Sequence, residues 1–309
     1  MNFQNNKPKN LVASVKARLL NIARENQKDY NAVLLQYFQE RFLYRLSISA
    51  YKDNFVLKGA LLFLIYQMPR LRPTKDIDFL GNGISNDLEK MKRVIQNIAK
   101  IPAEDAVIFH PENILLENIA EEGEYQGVRI RLDGRLGSVK KTIQMDIGYG
   151  DIIMNGPVEL DYPTLLDNPV PTIKIYSLES SIAEKFEAIV KYNFLSSRMK
   201  DFFDILYLAR NQSFQFDQLH KAIEATFNNR KTPLIDRQVV FDQKFKNDPA
   251  KQKQWNAFLN RSKLEEEKSF KKVIELLEIF LEPVCQKPDM QNMNKKWNES
   301  SWRWDKVKP

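Results

Sequence analysis

Apolar residues recur at helical spacing through the first fifty positions. Over residues 29–48, Val33, Leu34, Tyr37, Phe38, Phe42 and Leu46 share one face, which predicts a helix with a core-facing stripe, preceded by another over about 11–25. Residues 1–10 are polar and rich in Asn and Lys, and should fray. Phe55-Val56-Leu57 then reads as a short strand, Gly59 as a close turn, and residues 60–67 as a buried helix ended by Pro69. Beyond it the period changes to alternation. Asp76-Ile77-Asp78-Phe79 predicts a strand; after a helix over about 87–99, further strands are expected at 113–120, 127–132 and 141–147, with glycine-containing turns between them. A Pro- and Asp-rich connector covers about 157–171, and 172–176 reads as one last strand. From Leu178 onward the pattern is helical, with segments near 178–195, 197–210, 215–228, 249–262 and 265–281. The fold class is therefore α+β, a mixed sheet flanked by helices and followed by a helical half. The expected divisions are N-terminal helices packing on the core (1–50), a sheet core (51–170), a helical domain (171–283) and a polar tail (284–309). That tail carries Trp297, Trp302 and Trp304, at least some of which should dock, because indoles are costly to leave in water.

Composition narrows the function classes. With 309 residues, 43% of them hydrophobic, the chain can bury a sizeable core. A single cysteine, Cys285, rules out a disulfide framework and any cysteine-rich zinc site. No N-terminal run resembles a signal peptide, and the longest apolar stretch, Ala60 to Tyr66, is too short to span a bilayer, so a cytoplasmic protein without a membrane partner is expected. A formal net charge of +7 and a pI near 9.2 favour an anionic partner, nucleic acid or nucleotide, although the basic residues are spread along the chain. His110 and His220 are the only histidines, and neither is expected near an acidic partner at ligand spacing, which argues against histidine-based metal binding and a serine triad. No phosphate-binding P-loop sequence occurs, and Gly81-Asn82-Gly83 lacks the later glycine and helix-opening context of a dinucleotide loop.

Candidate chemistry lies in the carboxylates. In a strand, Asp76 and Asp78 leave the same face while Ile77 and Phe79 enter the core. Neighbouring carboxylates repel unless a cation lies between them, so the natural occupant of such a face is a divalent metal held by oxygen ligands. Asp146, framed by Met145 and Ile147, would complete the site if its strand lay beside the first. Arg129 and Arg131 alternate on one strand face and suit either an RNA backbone or solvent. Lys185 could pair with Glu184 or Glu187, and Arg198, Lys200, Asp201 and Asp204 fit ion pairing along one helix face, an arrangement equally suited to a site wall.

A glycine turn leading into a helix, a strand with two alternating acids, and a later strand with one acid resemble the polymerase-beta-like nucleotidyltransferase fold. Two helical motifs, Ala183-Glu184-Lys185-Phe186-Glu187-Ala188 and Ser197-Arg198-Met199-Lys200-Asp201-Phe202-Phe203-Asp204, extend the likeness. Together with Phe55-Val56-Leu57-Lys58-Gly59-Ala60, Arg72-Pro73-Thr74-Lys75-Asp76-Ile77-Asp78 and Gln144-Met145-Asp146-Ile147-Gly148-Tyr149-Gly150-Asp151, they make the chain closely resemble the AbiEii/AbiGii family of nucleotidyltransferase toxins, from about Phe42 to Pro283. That family acts in type IV toxin-antitoxin and abortive-infection systems. The resemblance implies transfer of a nucleotide from a nucleoside triphosphate onto an acceptor with Mg2+ or Mn2+; characterised relatives extend the 3′ acceptor end of tRNA. It implies Asp76 and Asp78 as catalytic metal-binding acids, joined by Asp146 as a third ligand, and Lys185 as a triphosphate contact. Asp201 or Asp204 matches the later catalytic aspartate, and Lys58, Gly59, Ala60, Arg198 and Asp204 fall where the nucleotide is bound. Many relatives carry Gly-Gly or Gly-Ser where this chain has Gly59-Ala60, so no hydroxyl is offered there to the phosphates. A cognate antitoxin is the implied protein partner. Protein nucleotidylation and a lapsed nucleotide-binding module are the competing functions, the second disfavoured by two acids kept together.

Overall fold

The computed structural model describes residues 10–66, 74–120, 126–154, 156–286 and 293–307. Arg72, Pro73 and Pro69 from the motifs above lie outside them. The described residues divide into two compact units: 10–66, 74–120, 126–150 and 158–175 in one, and 151–154, 156–157, 176–286 and 293–307 in the other.

The first unit opens with α1 (Leu11–Glu25) and α2 (Tyr30–Ser47), whose first turns are capped by the side chains of Asn10 and Asp29. In α2 the buried positions extend beyond the apolar stripe to Gln39, Glu40, Arg41 and Arg45. Charges so enclosed need partners: Arg45 meets Asp105 through two bonds of 2.7 and 3.2 Å, and Arg41 lies 2.7 Å from Glu40. Then follow β1 (Phe55–Lys58), the single turn α3 (Leu62–Ile65), β2 (Asp76–Gly81), α4 (Leu88–Ala99) and β3 (Ile108–Phe109). The remaining strands are β4 (Leu115–Ala120), β5 (Gln126–Leu136), β6 (Val139–Gly148), β7 (Val158–Asp161) and β8 (Thr172–Ile175). They join in the order β3-β5-β6-β2-β1-β8-β7, with β4 also on β5; β2–β6 and β1–β8 are parallel and the other pairs antiparallel. One face of the central strands is core: Ile77, Val128, Ile130, Leu132, Ile143, Met145 and Ile147 have no exposed surface.

Several elements depart from the periodicity. The expected helix over 60–67 is only the four residues of α3. β5 and β6 run longer than their apolar cores, because Asp133, Arg135 and Lys140 occupy the polar face of the hairpin beyond them; its turn is closed by Gly137 at φ +60°. β7 arises inside the Pro-rich connector as a sheet edge, where exposed Val158 and Glu159 weaken the alternation that would reveal it.

The second unit is helical: α5 (Leu178–Tyr192), α6 (Met199–Asn211), α7 (Phe216–Asn229), α8 (Arg237–Phe241), α9 (Gln243–Lys246), α10 (Pro249–Ser262) and α11 (Phe270–Cys285). The polar tail forms a hairpin of β9 (Lys295–Asn298) and β10 (Arg303–Lys306). Its tryptophans dock with their N–H groups satisfied: Trp297 donates to Ala209 O (2.6 Å), Trp302 to Leu276 O (3.1 Å) and Trp304 to Phe280 O (3.0 Å). Trp297 is the anchor, 1% exposed, with the Phe280 ring 4.7 Å away and both other tail indoles at 5.3 Å. Replacing Trp297 by Ala should cost about 3–5 kcal/mol of the unit's stability. Urea denaturation measures this, and a loss below about 1 kcal/mol would show the tail to be a loose appendage.

Candidate active site

The site begins as a consequence of strand register. β1 pairs Lys58 with Asp78, β2 pairs Asp78 with Asp146, β6 pairs Asp146 with Arg129, and β5 pairs Arg129 with Glu117. Directly paired residues share a sheet face, so these five charged side chains form one row across five strands. Asp76 lies one pleat along, opposite Gln144, and so on the same face. The intervening residues Ile77, Phe79, Met145 and Ile147 are buried on the other side. A one-residue slip would exchange them for the acids, which fixes the register strongly.

Asp76, Asp78 and Asp146 each offer a carboxylate oxygen, and the three oxygens lie within 4.8 Å of one another. Three hard, anionic oxygens suit Mg2+ or Mn2+, which binds through a few carboxylates while the substrate supplies the remaining oxygens. Each acid is oriented. Thr74 Oγ1 donates to Asp76 Oδ1 at 2.9 Å. Asp146 receives Arg129 Nε at 2.8 Å on Oδ1 and Arg129 Nη2 at 2.7 Å on Oδ2, with Gln144 Nε2 at 3.3 Å from Oδ1. Asp146 in turn strengthens the hold of Arg129 on its proton, raising that guanidinium's pKa. Gly59 makes room for Asp78: its φ is +72°, and a Cβ there would lie 2.7 Å from Asp78 Cγ and collide with the carboxylate oxygen. Glycine is therefore required for the backbone conformation and for the acid beside it. Ala60 is buried, 1% exposed, with its methyl in the core.

In the helical unit, Lys185 on α5 meets α6. Its Nζ is 2.8 Å from Asp204 Oδ2 and 3.4 Å from Asp201 Oδ1, and Asp201 Oδ2 also accepts Arg198 Nε at 2.6 Å. Both aspartates have no exposed surface. They hold Lys185 and Arg198 in place, and Asp201 also profits from the partial positive charge of the first turn of α6. Glu184 and Glu187, the neighbours with which Lys185 could pair, face Arg230 at 3.8 and 3.0 Å, together with Asp151 at 2.8 Å. Burial opposes the charge of Arg230, but Glu184, Asp151 and Glu187 outweigh it and raise its pKa. The Tyr176 hydroxyl donates to Glu184, and burial and that carboxylate push its pKa up.

Thr74, Arg129 as the partner of Asp146, and Arg230 were not legible as site-supporting residues. Thr74 lies within the acid motif, two residues before Asp76, which is a usable signal; Arg230 is remote in sequence from its acids and has none. The histidines need one correction, since His110 Nδ1 is 2.9 Å from Glu112 Oε1 and His220 Nε2 4.0 Å from Glu224. Neither joins a group of three metal-ligating side chains among the described residues, so the acids remain the metal candidate. No described helix is long and apolar enough to cross a membrane.

Residues 41–276 match the family described as nucleotidyl transferase AbiEii toxin, type IV TA system. No curated protein matches the chain. Among solved structures, JHP933 from Helicobacter pylori is similar at 16% identity and a TM-score of 0.41, covering 84% of this chain and 99% of that one. An antigenic nucleotidyltransferase-like protein from Paracoccidioides brasiliensis is 13% identical with a TM-score of 0.32, covering 74% and 93%.

Two substitutions probe this geometry. Gly59→Ala should disturb Asp78 and weaken Mn2+ binding at least about tenfold, since strain at a positive φ adds to the collision; titration calorimetry showing unchanged affinity would contradict the packing described. Lys185→Ala removes the ammonium 2.8 Å from the buried Asp204 carboxylate and should cost roughly 3 kcal/mol of stability. An unchanged denaturation midpoint would show that Lys185 does not hold that acid.

Proposed function

This chain belongs to the AbiEii nucleotidyl transferase toxin family, and on that premise we propose a metal-dependent enzyme that moves a nucleotide from a nucleoside triphosphate onto the 3′ end of an RNA acceptor, tRNA first among them. The observation that carries the proposal is the in-register convergence of Asp76, Asp78 and Asp146 beside the Gly59 turn. In the reaction an acceptor hydroxyl attacks the α-phosphorus, a new P–O bond forms, and pyrophosphate leaves. A divalent ion, when bound, would neutralise phosphate charge and favour the deprotonated hydroxyl.

The chain's own residues supply the positioning. Asp76, oriented by Thr74, and Asp78, accommodated by Gly59, would hold the ion, with Asp146 as third ligand. We assign Lys58 and the Gly59-Ala60 turn to the triphosphate side of the sheet row, on the strength of Lys58 pairing with Asp78. Lys185 and Arg198 are the proposed cationic contacts for the triphosphate, held ready by Asp201 and Asp204; these two acids act as positioning residues, since neither exposes surface to a substrate. The charge of +7 supports a polyanionic acceptor. Membership of a toxin-antitoxin family supports a cognate antitoxin as protein partner and action in the cytoplasm.

Incubation with each labelled nucleoside triphosphate, total tRNA and Mg2+ should label RNA and release pyrophosphate. Label on protein instead would overturn the RNA acceptor. Asp76→Asn and Asp78→Asn should each lower transfer by at least about two orders of magnitude with the fold intact, the scale of losing one transition-state contact. Near-wild-type turnover in a folded variant would sink the metal mechanism. In cells, wild type should arrest growth and Asp76→Asn at equal protein level should not; equal arrest by both would attribute toxicity to something other than transfer.

A further inference from the structure

Asp146 is held by a guanidinium from the neighbouring strand. Arg129 grips both of its oxygens in a side-on fork of 2.8 and 2.7 Å, and Gln144 Nε2 adds a third donor at 3.3 Å. A carboxylate has about four lone-pair positions, so these contacts leave little capacity on Asp146 for a metal. The fork is built by backbone register, because Arg129 and Asp146 are directly paired across β5 and β6. On its opposite side Asp146 is paired with Asp78. Asp146 is thus shared between a guanidinium on one strand and the proposed metal position on the other. Bidentate arginine–carboxylate pairs are among the stronger polar contacts, and a divalent ion must compete with this one.

From this geometry we infer that Arg129 is a positioning residue that sets the strength of the metal site by withholding Asp146. With Arg129 engaged, the charge of Asp146 is largely neutralised and its share of the metal binding would be small. The side chain of Arg129 is 31% exposed and that of Asp146 11%. Across the other edge of β5, Glu117 lies directly opposite Arg129 on β4. A site restrained in this way takes up the ion weakly alone and more firmly once triphosphate oxygens supply the missing ligands, so metal and nucleotide are loaded together. In most metal sites the outer partners strengthen the ligand they touch. Here the partner is a cation, and its effect has the opposite sign.

The inference rests on the metal reading of the acid triad, and Mn2+ titration calorimetry on the full chain, without nucleotide, tests both separately. Arg129→Gln should bind Mn2+ about tenfold more tightly than wild type, the scale on which outer partners change metal affinity. Arg129→Lys keeps the charge but loses the fork, and it should also bind more tightly. In an Asp146→Asn background the gain from Arg129→Gln should largely vanish. Thermal melts identify any variant that fails to fold, and Arg129→Lys then decides alone. Tighter binding by Arg129→Gln with Arg129→Lys equal to wild type would reduce the effect to bulk charge and overturn the inference, as would a gain that survives Asp146→Asn. Wild-type binding that Asp76→Asn abolishes, with no change in either Arg129 variant, removes the inference and leaves the metal reading standing. Absence of Mn2+ binding in every variant removes both.

Discussion

The parallel pairing of β2 with β6 sets Asp78 directly opposite Asp146, and holding two carboxylates side by side is the constraint on which the rest of the sheet depends. Such a pair persists only if the register cannot relax and if positive charge is near. The first condition is met by Ile77, Phe79, Met145 and Ile147, whose burial on the far face makes any slip costly. The second is met on either side of the pair, by Lys58 next to Asp78 and Arg129 next to Asp146, and the three acids bring oxygens close enough to share a divalent ion. Gly59 belongs to the same solution, since any side chain there would take the space of the Asp78 carboxylate.

The helical unit treats charge differently. Buried Asp201, Asp204 and Glu187, with partly exposed Asp151 and Glu184, are matched to cations: Asp201 with Lys185 and Arg198, Asp204 with Lys185, and Asp151, Glu184 and Glu187 with Arg230. Lys185 and Glu187 lie on different faces of α5, so the helix is pinned on two sides by separate ionic networks. Buried ion pairs are poor stabilisers, because desolvation offsets most of their attraction, and apolar residues of similar volume would often do better. Their value lies in orientation. A lysine tied to two buried carboxylates keeps its ammonium within a small volume, which is what an electrostatic contact to a triphosphate requires.

The same accounting separates what is functional from what is structural among the tryptophans and the N-terminal helices. The tail indoles each spend their N–H on a helix carbonyl and their rings on the aromatic cluster around Phe280, so they serve the fold. Arg45 with Asp105 likewise secures α2 to the loop before β3, a purely architectural pairing. Arg131, paired with Glu117 at 3.0 Å, and Arg129, paired with Asp146, both have intramolecular partners in the strand face where a polyanion was one of two readings.

What the sequence by itself determined was local: which side of each segment is apolar. Alternation around Asp76 and Asp78 put both acids on one face, and the helical stripes marked α2, α5, α6, α7 and α10 to within a few residues. The order of motifs was enough to identify the family. Tertiary structure alone decided which distant groups meet. Nothing in the sequence spacing says that Asp146 faces Asp78 on one side and Arg129 on the other, that Lys185 reaches Asp204, or that the polar tail folds into a hairpin on Trp297. Periodicity records burial, which each residue carries in its own side chain. Partnership depends on strand order, register and the packing of elements far apart in the chain, and these are settled only when the whole core closes.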